Sequence, residues 1–302
     1  MVKVDIVIPV YNQRASLEYV LTGFLNQETK NELLIVVVND GSDEDIDSLI
    51  LEKEPLFAEK GWKLHIVNLE KSGRSIARNV GVQAGDGECI IFCDADRIPN
   101  KSFVDNHVNK YLAGFDITIG IPKEIYLSSI LEREKLIWEI VNGNKSRLAR
   151  QSSYTKLVLN IYSKDGNTDS GIPWVSTFSG NMSISRRLIE LHGFDEGFKS
   201  WGFENIELGY RLYSQGYKFA HEPRAVNYHL NHPRPANFYE NGINASREYL
   251  SLKYNSNSSI ANYGDLAEGK IGLQDFERKY GNDGALWMNE VSTPLANKIS
   301  PL

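Results

Sequence analysis

Short apolar runs punctuate the first hundred residues at Val4–Val10, Leu33–Val38, Leu64–Leu69 and Cys89–Cys93. Each has the length of a buried strand. Between them, apolar residues recur at helical spacing: Leu17, Val20, Leu21, Phe24 and Leu25 within Ala15–Asn26; Ile46, Leu49, Ile50 and Leu51 within Asp45–Leu56; Ile76, Ala77, Val80 and Ala84 within Ser75–Ala84. Near-continuous apolar strands alternating with helices predict an α/β fold, Rossmann-like, with a mostly parallel sheet covered by helices on both faces. The pattern loosens beyond residue 100. Phe103–Leu112 reads as a helix and Ile117–Ile121 as a strand. Residues 126–162 read as a long, charged, mostly helical stretch with Ile130, Leu131, Ile137, Ile140 and Val141 on one stripe. Gln151–Thr155 and Ser163–Gly171 read as polar loops, and Ile206–Tyr213, Ala245–Tyr254 and Leu273–Tyr280 as helices. The expected organisation is a first half over 1–99, a second over 100–235 with 126–170 inserted, and a helical extension over 236–302.

Ligands of open α/β sheets bind at the carboxyl ends of the strands. There the chain places Pro9-Val10-Tyr11-Asn12, Asn39-Asp40-Gly41-Ser42, Ser72-Gly73-Arg74-Ser75 and Asp94-Ala95-Asp96. Two carboxylates one residue apart repel each other unless a cation lies beside them. Mg²⁺ or Mn²⁺ held by one or two carboxylates usually completes its shell with substrate phosphates. An aromatic ring for a base, acids for base N–H and ribose hydroxyls, an arginine for phosphate and a metal-binding pair together make a nucleotide-sized set. Each member also has a bland reading. The Asp94–Asp96 pair could be a polar turn, Asp40 a helix cap, Tyr11 a core ring, and Arg74 and Arg78 a solvated face. No G-x-G-x-x-G follows the first strand and no G-x-x-x-x-G-K-[ST] occurs.

Composition narrows the class. The 302 residues carry 39 acidic against 33 basic side chains, a net of −6, which argues against a dedicated nucleic-acid binder. There is no apolar run of transmembrane length, and the first residues lack a signal-peptide pattern. The expectation is a cytoplasmic protein, with peripheral membrane contact left open. Cys89 and Cys93, on one face of one strand, read as small buried hydrophobes and not as a disulfide.

The four strand-end segments, with Gly73-Arg74-Ser75-Ile76-Ala77-Arg78-Asn79 completing the third, resemble family-2 glycosyltransferases of the GT-A fold. The resemblance implies a UDP-sugar donor and a divalent metal, Mn²⁺ or Mg²⁺. By position it puts Tyr11 near uracil, Asp40 on the uridine, Arg74 by the nucleotide, Pro9 and Ala95 along the donor, and Asp94 and Asp96 by ribose and metal. A second block, Ser179-Gly180-Asn181-Met182-Ser183-Ile184, Gly193-Phe194-Asp195-Glu196 and Trp201-Gly202-Phe203-Glu204-Asn205-Ile206-Glu207, resembles the acceptor half of galactosyl- and N-acetylgalactosaminyltransferases, including the chondroitin-polymerase type. That half usually reads Trp-Gly-Gly-Glu-(Asp/Asn); here Phe203 stands at the second Gly. His229 falls where that group carries a metal-binding His, beside His232. Gly180, Asn181, Trp201, Asn205 and Glu207 are implied to bind substrate, whereas Trp174 and Phe178 read as core aromatics.

Together these imply metal-dependent transfer of a hexose or N-acetylhexosamine to the hydroxyl of a glycan, lipid-linked or peptide acceptor, with inversion. Glu204 opens a helix, where the dipole favours an anion, and Asn205 cannot accept a proton. Glu204 is the expected base, with Glu207 and Asp195 in reserve. Retaining transfer, a phosphohydrolase built on the aspartate pair, and a non-catalytic nucleotide-sugar or glycan-binding module are the alternatives.

Overall fold

The computed structural model describes residues 1–126, 133–199, 201–231, 236–256 and 258–281. Strands β1 (Lys3–Val10), β2 (Glu32–Asp40), β3 (Lys63–Leu69) and β4 (Cys89–Cys93) pair in parallel in the order β3-β2-β1-β4. Helices α1 (Arg14–Leu25), α2 (Ile46–Glu59) and α3 (Arg74–Gln83) connect them. Ile6 and Ile8 of β1 lie in one core with Leu17, Leu21 and Phe24 of α1, while Val7, on the opposite face, lies in a second core with Phe92. Burial on both faces is why these strands carry unbroken apolar runs. α3 approaches β1 so closely that a Cβ on Gly81 would stand 2.4 Å from Val7.

The sheet continues β4-β7-β6-β8-β5, through β7 (Asn181–Ser185), β6 (Ile117–Ile125), β8 (Phe219–Leu230) and β5 (Arg97–Pro99). β7 is antiparallel to both β4 and β6, β8 is parallel to β6, and β5 is antiparallel to β8. One eight-stranded sheet therefore runs through both sequence halves, and six strands point toward a common rim.

The second half departs most from the sequence pattern. β5, β7 and β8 are strands that periodicity did not mark, and β6 runs past Pro122 to Ile125. The 126–162 stretch is not one long helix. It holds α5 (Glu134–Val141), a 3₁₀ turn at Ser146–Leu148 and α6 (Ser153–Leu159), with Gly143 at φ +89° just past the end of α5. Gln151–Thr155 is not all loop, because Ser152 caps α6 by accepting from Thr155 N. Ile130 and Leu131 of the expected stripe lie outside the described residues. α4 (Phe103–Leu112) packs on β6, β7 and β8; α7 (Arg186–His192) and α8 (Glu204–Ser214) flank the second core. α9 (Phe238–Lys253), α10 (Tyr263–Ala267) and α11 (Leu273–Tyr280) close the chain over that core, α9 starting well before the expected Ala245. Cys89 and Cys93 are free and buried. Among the described residues no helix is long and apolar enough to cross a membrane.

His107 of α4 is fully buried between Ser183 Oγ (3.0 Å) and Asn181 Oδ1 (3.1 Å). Burial, only partly offset by the Asn181 hydrogen bond, pushes its pKa down to about 4. The unfolded chain takes up this proton near pH 6.5 and the folded chain does not. Folding stability is thus expected to fall as pH drops from 6.5 toward 4, by up to about 3 kcal/mol from this group. His107→Gln should flatten that limb in urea titrations between pH 7 and 4.5; an unchanged slope in the variant would refute the assignment.

Candidate active site

Asp94 leaves β4 directly beneath two guanidinium groups, Arg78 Nη2 at 2.9 Å and Arg97 Nε at 3.3 Å. Burial alone would raise its carboxyl, but Arg78 and Arg97 hold it below the usual carboxylate range. Asp96 is buried, accepts from Gln13 Nε2 at 2.7 Å, and faces His229 Nε2 at 3.4 Å. The other ring nitrogen of His229 is engaged by Glu124 of β6. Burial and Arg97 pull the His229 pKa down, yet the hydrogen bonds with Asp96 and Glu124 outweigh them and raise it to about 9. Ala95 is buried between the two aspartates, and Pro9 is half-buried opposite Val38 of β2.

At the far end of the rim Tyr11 is 43% exposed, but its face is covered: Lys71 Nζ lies 3.2 Å from the ring centroid. The same ammonium lies 2.9 Å from Asp40 Oδ2. Asp40 is buried and also accepts from Ser72 N (2.7 Å), Ser72 Oγ (3.1 Å) and Gly73 N (3.1 Å). It does not cap α2, a task done by Asp45 through Ser48 N. The 71–73 loop reaches Asp40 because Gly41 adopts φ +73° where a Cβ would stand 2.7 Å from Lys71 N.

The 201–207 motif starts α8. Phe203, at φ +67°, turns the chain, and Glu204 becomes the first helical residue, 2% exposed. Glu204 Oε1 lies 3.1 Å from Arg78 Nη1 and 3.8 Å from Arg74 Nη1, whereas Oε2 is buried with no hydrogen-bond partner among the described residues. An orphaned buried carboxylate oxygen is costly and calls for a water, an ion or a ligand donor. Glu204 lines a cavity of about 390 Å³ together with Arg74, Asp94, Arg97, Glu124, Gly180, Trp201, Phe203 and Asn205. The opposite wall comes from Ser152, Tyr154 and Thr155 at the start of α6, Ile243 of α9, and Tyr263 and Ala267 of α10. Phe203 packs edge-on against Tyr263 at 4.8 Å, and the Tyr263 and Tyr154 hydroxyls are hydrogen-bonded. A side chain at Gly180 would displace the side chains of Asp94 and Arg97, which lie in the path of its Cβ. Trp201 rests edge-on against Tyr239 of α9 at 4.7 Å, and the Asn205 amide donates to Thr177 O.

Some expected substrate contacts lie elsewhere. Asn181 is fully buried and its amide is used by His107, Ala225 O and Asn227 Oδ1, so it holds strands together and does not touch the cavity. Glu207 is likewise fully buried; its Oε1 pairs with Arg211 of α8 and ties that helix to Lys253 of α9 and Tyr254, while its Oε2, like that of Glu204, has no hydrogen-bond partner among the described residues. The reserve base Asp195 is taken by Tyr249, Lys253 and Gly197 N. Phe178, read as core, lines the cavity, while Trp174 is core. His232 lies outside the described residues. Arg97, Glu124, Tyr154 and Tyr263 belong to the candidate site without having been singled out for it, and Arg78, whose place was left open, joins them.

Residues 5–170 match the family model of glycosyl transferase family 2, and 167–233 match that of the N-terminal domain of galactosyltransferase. The chain belongs to glycosyl transferase family 2. Its α/β sheet is the GT-A fold shared with Staphylococcus aureus TarS: against TarS 1–349 the TM-score is 0.57 at 16% identity, covering 94% of this chain and 83% of that one. The same protein in complex with UDP-GlcNAc gives 0.56 at 16% identity, covering 90% and 77%. By sequence the chain is 28% identical over 247 residues to chondroitin synthase of Escherichia coli, covering 77% of this chain and 35% of that protein. It is 28% identical over 250 residues to hyaluronan synthase of Pasteurella multocida, covering 78% and 25%. The chain thus spans only about a third or a quarter of the length of these relatives.

Proposed function

We propose that the chain transfers a hexose or N-acetylhexosamine from a UDP-sugar to an acceptor hydroxyl, inverting the anomeric carbon, with Glu204 as base. The observation that carries this reading is Glu204, which lines one cavity with Asp94 and whose buried Oε2 has no hydrogen-bond partner among the described residues. A carboxylate so placed accepts the acceptor proton as the hydroxyl attacks. The complexes of TarS with UDP and UDP-GlcNAc support the donor class, and the names of the chondroitin and hyaluronan synthases support a glycan acceptor. Residues 1–99 would hold the donor, and 100–235 with the described part of 236–302 the acceptor.

Among the described residues no group of three His, Cys, Asp or Glu is arranged to hold a metal ion. Asp96 Oδ2 and His229 Nε2 nevertheless face each other at 3.4 Å, one hard oxygen and one imidazole nitrogen, with Glu124 orienting the ring from behind. Once an ion displaces the proton that the ring carries near neutral pH, that donor set suits Mn²⁺ or Mg²⁺ completed by donor phosphates. When bound, the ion would offset charge on the leaving diphosphate. Release of UDP from a panel of UDP-sugars, with and without Mn²⁺ and acceptor, is the test. Liberated inorganic phosphate would indicate a phosphohydrolase, and UDP binding without turnover a binding module.

On this reading Tyr11 and Asp40 seat the uridine once Lys71 moves aside. Asp40→Ala is expected to weaken UDP binding by about 1.5–3 kcal/mol, the range for a hydrogen bond to a charged group. Unchanged UDP affinity by calorimetry would remove Asp40 from the donor site and leave it as the anchor of the 71–73 loop.

A further inference from the structure

Arg78 touches both halves of the site. α3 turns it inward on the same side as Ser75, Gly81 and Val82, and its side chain is 1% exposed. Nη2 donates to Asp94 Oδ1 at 2.9 Å and Nη1 to Glu204 Oε1 at 3.1 Å. Burying a guanidinium is costly unless carboxylates and packing compensate; here two carboxylates do, and the group also lies 5.3 Å from the Phe194 ring centroid. Its rigid planar fork fixes the angle between two acceptors, which an ammonium cannot do. Because Arg78 occupies Oε1 of Glu204, Oε2 is the oxygen left without a partner among the described residues. Asp94 has a second cation, Arg97 Nε at 3.3 Å, and Arg74 stands 3.8 Å from Glu204 Oε1.

We infer that Arg78 is a positioning residue that sets the Glu204 carboxylate relative to Asp94, so that acceptor deprotonation and donor binding occur at a fixed separation. This rests on the reading of Glu204 as base. Arg78→Lys keeps the charge but serves one carboxylate at a time. In the full chain, with the UDP-sugar found active in the release assay, kcat is expected to fall about 10²-fold, the usual result of a misplacement near 1 Å. UDP affinity by calorimetry should stay within about twofold, since Asp94 keeps Arg97. In a Glu204→Gln background the same change should alter kcat by no more than about twofold, because no base remains to be positioned.

A structural role predicts the same loss in both backgrounds, and that outcome overturns the inference, as does wild-type kcat in Arg78→Lys. Glu204→Gln alone at wild-type kcat instead overturns the base reading, and the positioning role with it; a slow Glu204→Gln beside an unimpaired Arg78→Lys overturns the positioning role only. If Arg78→Lys does not fold, Arg78→Met combined with Glu204→Gln removes the pair together. Its kcat should equal that of Glu204→Gln; a further loss of about tenfold overturns the inference. Failure of both variants to fold makes Arg78 a structural residue and also overturns it.

Discussion

Glu204→Gln is expected to lower kcat by about 10²–10⁴-fold, the usual worth of a general base, while UDP binding and the fold persist. The amide keeps an oxygen for Arg78, and Arg78 keeps Asp94 as its charged partner, so no buried cation is left alone. The loss should fall on kcat, because proton removal occurs in the transition state and not on binding. NMR of the product's anomeric configuration completes the experiment. An inverted product made at wild-type rate by this variant would exclude Glu204 as base. A retained configuration would mean that no such base is needed, and the effect on KM would then report Glu204 as a hydroxyl ligand.

Asp96→Ala is expected to abolish metal-dependent turnover, with Mn²⁺ affinity falling by more than the roughly 10–100-fold typical when an outer-shell partner is lost. Asp96 supplies the carboxylate of the Asp96–His229 pair, and Arg78 and Arg97 engage Asp94 instead. Electron paramagnetic resonance of Mn²⁺ with UDP reads binding apart from catalysis. Full activity of Asp96→Ala in EDTA would remove the metal from the mechanism.

What the sequence made legible follows from how each signal arises. Strands β1 to β4 are buried on both faces, so their apolar runs are unbroken and end sharply at the polar residues of the rim. β6 seemed to stop at Ile121 because Pro122 follows, and Pro within a run argues against a strand; the ladder in fact continues to Glu124 and Ile125 opposite His229 and Leu230. Glu124 was lost with that extension. β8 was hidden by Glu222-Pro223-Arg224 in its middle, and β5 is only three residues long. Arg78 was left open for a different reason. Its charge allowed a ligand or a solvated face, whereas its spacing from Ser75, Gly81 and Val82 puts it on the buried one. Asn181 shows the reverse: a polar residue in a site-like motif whose hydrogen bonds are spent inside the scaffold, as are those of Glu207 Oε1.

The cavity wall has a divided origin. Its carboxylates and arginines come from residues up to 204, inside the stretches matched by the two family models, but Ile243, Tyr263 and Ala267 come from beyond 233, where neither reaches. Phe203 links the two parts, since the side chain that stands in place of a glycine is the surface on which Tyr263 rests. Part of the cavity's shape therefore comes from a stretch that carries none of its carboxylates or arginines. Related chains that agree through 233 and diverge after it would keep those charged groups in a differently contoured chamber, so on the proposed reading the acceptor could change while the reaction stays the same.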